Sequence, residues 1–440
     1  MVLSVILATA SVCYIDSAYM LFRMIQTEAI IAEGGRWMNA VPQLLPWLFI
    51  KAGAPLPVII AVFALSYILI LYFIFLIAGK IYEQVQLAAL LPLLLIAGTP
   101  HTFFDTITET KYALAFAILL IAALVSGKSF KGLDVILIVA CGLFSHPVFI
   151  IYWAIILIWL AVENGFKSIL LPLISGVALL AVRYFFAGGT GYEVNLLSDA
   201  SGNNLALFGT SFIHHYMSIW EQWIYWPLIL IMLLSTGYFL FKKSTSQLLL
   251  YIGMLAGIYC LLALVYAKGD SHMMIQKTMF LFHFAILFPM AASIKSAGKK
   301  ITTLWSSIVV IAMITAFFGL YTTAPQYIQR RNNLVKFMEA MPKNTDKFLI
   351  RETQINHEVM MATWALPHET LLLSGAASNK SIVVKNVRDH NDTLQLSKYP
   401  TAFRPAFGYP IPSDSLNAKY FKLNKTFRNE WMDSTIILGN

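Results

Sequence analysis

Residues 56–79, LPVIIAVFALSYILILYFIFLIAG, run for twenty-four positions without a charged side chain. As an α-helix this stretch is about 36 Å long, at 1.5 Å per residue, against a hydrocarbon core of about 30 Å. In such a core a helix satisfies its own backbone hydrogen bonds, and an isolated extended segment does not. The stretch is therefore read as a transmembrane helix. The whole chain agrees, since 58% of its 440 residues are hydrophobic and 12% are charged.

Working outward, apolar runs place spans near 1–15, 56–79, 85–99, 112–126, 133–144, 147–162, 168–187, 224–241, 247–267, 272–294 and 302–321. The fold class is an all-α polytopic membrane protein of about eleven transmembrane or re-entrant helices, with residues 1–324 as membrane domain. Residues 325–440 form a small α+β C-terminal domain. Lys80, Lys128, Lys131, Lys167, Lys242, Lys243, Lys295, Lys299 and Lys300 all fall in turns on one face, which the positive-inside rule makes cytoplasmic. The loop after the first span, the 188–223 loop and the C-terminal domain then face outward, from a plasma or inner membrane. Keeping Lys131 and Lys167 on one side requires two passes broken at Ser145-His146-Pro147. The first is so short, about 17 Å, that it suits a re-entrant segment.

Composition removes several function classes. The net charge of +9 comes from 31 basic and 22 acidic residues; nine of the basic ones are the inner-face lysines, which suit anionic lipid headgroups, so nucleic acid is not implied. Three cysteines, two in apolar runs, build no disulfide framework. Met1 to Cys13 lacks the basic start and small-residue cleavage site of a signal peptide and is read as a span. The glycines at 188–191 lack the Lys and Ser/Thr of a phosphate-binding loop, and adjacent His214 and His215 diverge on a helix, which argues against zinc.

After the last span, residues 326–345 carry Leu334, Phe337, Met338 and Met341 at helical spacing, expected as an amphipathic linker helix. Residues 348–350, 370–373 and 381–384 are expected as short strands.

The chemistry gathers in polar loops. Asp16 stands where the first span ends, ahead of residues 17–32, which have the spacing of a juxtamembrane helix, then Gly34-Gly35-Arg36-Trp37 and a Pro-rich stretch at 42–47. An acid at that boundary is costly unless it has a task or a partner. Two readings stay open for it: a proton-transfer group, or an N-cap for the following helix. The next outer turn holds His101, Asp105, Glu109 and Lys111; on a helix Asp105 and Glu109 would share a face and call for a cation, a proton or a divalent metal between them. The bland alternative is a solvated turn neutralised by Lys111. Lys277, less than two turns into its span, suits a phosphate group if it points inward, whereas snorkelling to the interface is the cheaper reading.

A short first span, an acid directly after it, a Gly-Arg-Trp and Pro-rich loop, paired short spans with an acidic outer turn, and an outer C-terminal domain together resemble the GT-C glycosyltransferases. The likeness covers mainly residues 1–165 in sequence and the rest in topology only. It implies a sugar moved from a polyprenyl-phosphate donor at the outer membrane face, with Asp16 as base and Arg36, His101, Asp105, Glu109 and Lys277 lining donor and acceptor sites. The chain departs from the pattern in having Asp16-Ser17 where many relatives carry Asp-Glu, which puts metal dependence in doubt. It also lacks the Trp-Trp-Asp motif of oligosaccharyltransferases, which argues against protein N-glycosylation. A solute or lipid transporter and a non-catalytic scaffold, whose C-terminal domain binds an unspecified protein partner, are the alternative functions.

Overall fold

The computed structural model describes residues 6–97, 99–128, 132–187, 223–265, 272–294, 298–342, 346–375, 380–385, 401–405, 409–423 and 430–431. The described residues are mostly helical, at 77%, with little sheet. Among the described residues, four helices are long and apolar enough to cross a membrane: Leu56–Ile81, Phe166–Phe185, Thr245–Leu262 and Lys299–Ala340. The glycine loop, His214, His215, Lys131 and Lys295 lie outside the described residues.

Burial sorts the helices. Thr110–Ser126 (α6) is buried on every side from Lys111 to Ala123, and the stretch from Met279 to Ala291 of His272–Ser293 (α12) is almost as enclosed. A helix apolar all round belongs at the centre of a bundle, and these two pack against each other there. Around them stand α4 (Leu56–Leu76), α5 (Val85–Ile96), α7 (Leu133–Leu143), α8 (Phe149–Asn164), α9 (Leu170–Ala187), α10 (Trp226–Phe241), α11 (Thr245–Val265) and α13 (Lys299–Ala340). Their outer faces leave Phe73, Ile174, Leu249 and Phe318 exposed, as lipid contact requires. Followed along the chain, the helix ends near Lys80, Lys128, Lys167, Lys242 and Lys299 fall opposite the ends that carry Asp16, the 104–109 turn and the 144–148 turn.

Several expectations are corrected. Within the first apolar segment the described helix is only Ala8–Val12 (α1); the chain breaks at Cys13 and Tyr14 and restarts as α2, Ile15–Thr27. Asp16 is the second residue of α2. The N-cap is Tyr14 and its side chain makes no capping bond, so Asp16 is not the cap. The Pro-rich stretch folds as a helix, α3 (Ala40–Lys51), with Pro46 inside it. The reversal between α2 and α3 runs through Gly34 and Gly35, both at positive φ of 59° and 70°, a backbone that side chains resist.

The expected linker helix is not separate. Helix α13 runs for 42 residues, about 60 Å, through residue 325 without a break, so its first half packs in the bundle and its second half carries the C-terminal domain. That domain contains β1 (Lys347–Arg351), α14 (Leu366–Ser374), β2 (Ser381–Lys385) and β3 (Glu430–Trp431), with parallel strands in the order β2-β1-β3. Residues 370–373, expected as a strand, lie inside α14. Pro367 in the first turn starts the helix, and a run of four apolar or β-branched residues carries no period that separates strand from helix.

The C-terminal domain does not hang free. Its Phe403 and Phe421 pack on Phe22 of α2, with ring centroids 4.9 and 5.4 Å away, and Asn417 donates to the Ile25 carbonyl at 2.8 Å. Tyr420 donates to the Ile50 carbonyl of α3 at 3.2 Å. Helix α2 is thus held between the bundle and the C-terminal domain.

Candidate functional site

Asp16 enters the site from the first turn of α2, and Lys277 enters from the opposite wall, early in α12. The Lys277 ammonium lies 3.1 Å from Asp16 Oδ2 and 2.7 Å from Asp105 Oδ2, so one cation serves two carboxylates. Their exposures differ: 47% for the Asp16 side chain, 13% for Lys277 and 0% for Asp105. Lys277 therefore points inward, and the snorkelling reading fails.

Asp105 is caged. Ser17 Oγ donates to one of its oxygens at 3.1 Å, and Thr108 Oγ1 to the other at 3.0 Å. Lys111, fully inside the bundle, donates to the Thr102 and Asp105 carbonyls at 2.6 and 2.7 Å, fastening the turn that carries the acid. Burial alone would raise the Asp105 carboxyl, but Lys277, Lys111 and Thr108 outweigh it and hold it below the ordinary carboxylate value. Asp16 moves the other way. Crowding by protein and the Asp105 charge push it up, against the pull of Lys277. The pair is thereby split into a fixed anion and an accessible carboxylate with raised proton affinity.

Glu109 does not share a helical face with Asp105, because residues 104–109 form an irregular turn just ahead of α6. It takes its own partners: an ion pair with Arg36, and the Asn39 side-chain amide at 2.6 Å. Burial raises the Glu109 carboxyl to about 7, the Arg36 charge opposing and the Asp16 charge adding to the rise. The Gly-Arg-Trp turn is anchored next to it. Trp37 stacks on Phe144 with centroids 5.1 Å apart, and the Met38 amide donates to the Phe144 carbonyl at 3.1 Å. This carries His146, in the α7–α8 turn, toward the site. Burial, then the charges of Arg36, Arg183 and Lys277, hold its imidazole neutral, and its Nδ1 accepts from the Val148 amide at 3.1 Å.

His101 is turned toward α13, with its Nδ1 3.1 Å from the Tyr327 hydroxyl, and its backbone amide donates to Gln276 at 3.0 Å. The structure thus joins Asp16, Asp105 and Lys277 directly, sets Arg36 on Glu109 beside them, and places His101 at the α12–α13 rim. Among the described residues no group of three or more His, Cys, Asp or Glu side chains could hold a metal ion. The space between the two aspartates is taken by an ammonium.

Sequence reasoning did not single out Ser17, Asn39, His146 or Lys111 as site residues. Lys111 had a signal: a cation at the head of an otherwise apolar run, where only a buried partner justifies it. Lys111 and Thr108 also line a small cavity, together with Tyr67, Tyr112, Ile68, Leu71, Leu95 and Phe103. Comparison with family models, curated proteins and solved structures finds no match for this chain.

Proposed function

We propose that the chain is an integral membrane glycosyltransferase of GT-C type, moving a sugar from a polyprenyl-phosphate donor to an acceptor hydroxyl or amine, with Asp16 as the base. One observation carries this reading: a half-exposed carboxylate shares a nearly buried lysine with a second, fully buried carboxylate. That arrangement keeps one acid ionised and gives the accessible one a raised proton affinity, which suits proton abstraction near neutral pH.

In the transfer step the acceptor atom bonds to the anomeric carbon as the bond from that carbon to the phosphate oxygen breaks. Asp16 takes the acceptor's proton, and the polyprenyl phosphate leaves with the electron pair. Arg36 and Lys277 supply positive charge for the phosphate. Asp105 holds Lys277 in place, while Glu109 and His101 line the acceptor side. In this reading the site faces away from the cytoplasm, because the described loop lysines cluster at the opposite helix ends.

The test uses the full chain in lipid nanodiscs with a panel of labelled polyprenyl-phosphate hexoses and pentoses, following release of polyprenyl phosphate. The wild-type protein is expected to turn over at least one donor. Asp16→Asn is expected to lose a factor of about 10²–10⁴ in kcat, the range of general-base catalysis. No turnover of any donor, or full turnover by Asp16→Asn, sinks the proposal.

A further inference from the structure

Ile15, directly before Asp16, has φ of +33°. For a β-branched residue this is a strained backbone, which persists only where the surroundings impose it. The surroundings here come from the C-terminal domain. Glu369 of α14, fully buried, accepts the Ile15 amide on Oε1 at 2.9 Å. Its other oxygen lies 2.6 Å from Arg330 of α13. Arg330 also donates to the Met360 and Ala362 carbonyls, each at 2.9 Å, and lies over the Tyr14 ring at 4.6 Å. Tyr14 meets Tyr327 edge-on, and both residues pack in one cluster with Ile15, Phe104 and Ala365.

Helix α2 has no capping side chain of its own. A carboxylate 354 positions later in the chain fills that place, and its charge also suits the positive end of the helix. The two residues that lead into Asp16 are therefore both gripped from the C-terminal domain. A loose N-terminus would let Asp16 swing about its first turn, and Lys277 alone, on a flexible stem, would not fix its direction.

We infer that Glu369 is a positioning residue for Asp16: anchored by Arg330, it caps α2 and holds Ile15 left-handed, so the C-terminal domain sets the aim of the catalytic carboxylate. This rests on the reading of Asp16 as the base. It makes the C-terminal domain part of the active site rather than a separate module for a protein partner.

The test compares wild type, Glu369→Ala and Glu369→Gln as full chains in nanodiscs, the last keeping an oxygen that can accept the Ile15 amide. Two readouts are taken per folded molecule. The first is the rate at which a water-soluble carbodiimide with an amine nucleophile modifies Asp16, followed by mass spectrometry with buried Asp105 as internal reference. It needs no substrate. The second is kcat and KM for the donor. Glu369→Ala is expected to change Asp16 modification at least threefold and to lower kcat at least tenfold with KM within twofold, and Glu369→Gln to recover most of both. Changed modification in a protein that turns over no donor supports the positioning role while the transferase reading fails. Unchanged modification and kcat in folded Glu369→Ala overturn the positioning role, whatever happens to thermal stability. If Glu369→Ala does not accumulate folded, Glu369→Asp takes its place: it keeps the charge facing Arg330 but withdraws the oxygen from the Ile15 amide. It is then expected to change modification and kcat by about threefold, and wild-type values overturn the proposal.

Discussion

Two ionic clusters flank the start of α2, and they differ in kind. Arg330 and Glu369 are 3% and 0% exposed, one cation to one anion, with two further Arg330 bonds to backbone carbonyls. Asp16, Lys277 and Asp105 put two anions on one cation and leave Asp16 open. A closed, charge-matched pair does the work of a fastener. An unbalanced cluster with one open member keeps free energy available for a proton or a ligand. Breaking the first is expected to cost stability together with the aim of Asp16, and breaking the second to cost chemistry with little loss of stability.

The largest expected effect is the loss of turnover in Asp16→Asn, and the comparison is sharpened by its melting temperature. Because Asp16 is half exposed and Asp105 keeps Lys277 neutralised, Asp16→Asn is expected to melt within a few degrees of the wild type in detergent. A collapse of stability would mean that Asp16 belongs with the fasteners. Next in size, Arg330→Met is expected to destabilise the protein by about 3–5 kcal/mol, by stranding Glu369 in a dry site. The double variant Arg330→Met with Glu369→Leu is expected to regain part of that loss, since neither charge is left unpaired although the Ile15 amide loses its acceptor. Equal melting of single and double variants would refute the assignment.

The third effect separates Glu109 from both clusters. Its folded carboxyl binds a proton up to about pH 7, against the ordinary value of 4.5. Between these values the folded state holds a proton that the unfolded state has released, so stability falls as pH rises. The contribution is complete below pH 4.5 and lost above about 7, amounting to about 3 kcal/mol. Melting of the wild type between pH 4.5 and 8 is expected to show this decline, and Glu109→Gln to flatten it; an unaltered slope in the variant excludes Glu109 as the cause. The smallest effect is a control: Arg23 and Glu33 form an ion pair at 37% and 44% exposure, and Arg23→Gln is expected to change stability by less than about 1 kcal/mol.

Legibility followed the range of the interaction. The apolar run at 56–79 and the break at Ser145-His146-Pro147 are local properties, and both stand in the structure as read. Asp105 and Glu109 were legible as a polar concentration but not in their pairing. Helical spacing puts them on one face, whereas the turn separates them and gives one to Lys277 and the other to Arg36. Lys277 shows the same limit: snorkelling is the cheaper fate for a lone lysine near a span end, and it loses only because two carboxylates from distant segments meet it. Glu369 was not singled out at all, since an acid in a soluble domain carries no sign that its partner is a backbone amide 354 positions earlier.

Hydrophobic patterning, because burying each residue in an apolar phase depends on that residue and its helical neighbours, let the amino-acid sequence alone determine a helical bundle with apolar outer faces, the placement of loop lysines at one end, and acids at the other. Tertiary structure decided which acid is open and which is caged, which lysine is shared, and that the C-terminal domain grips the residues ahead of Asp16. Those outcomes depend on charges brought within about 3 Å across long sequence separations, where the low dielectric makes pairing decisive and the linear order of residues says nothing about distance.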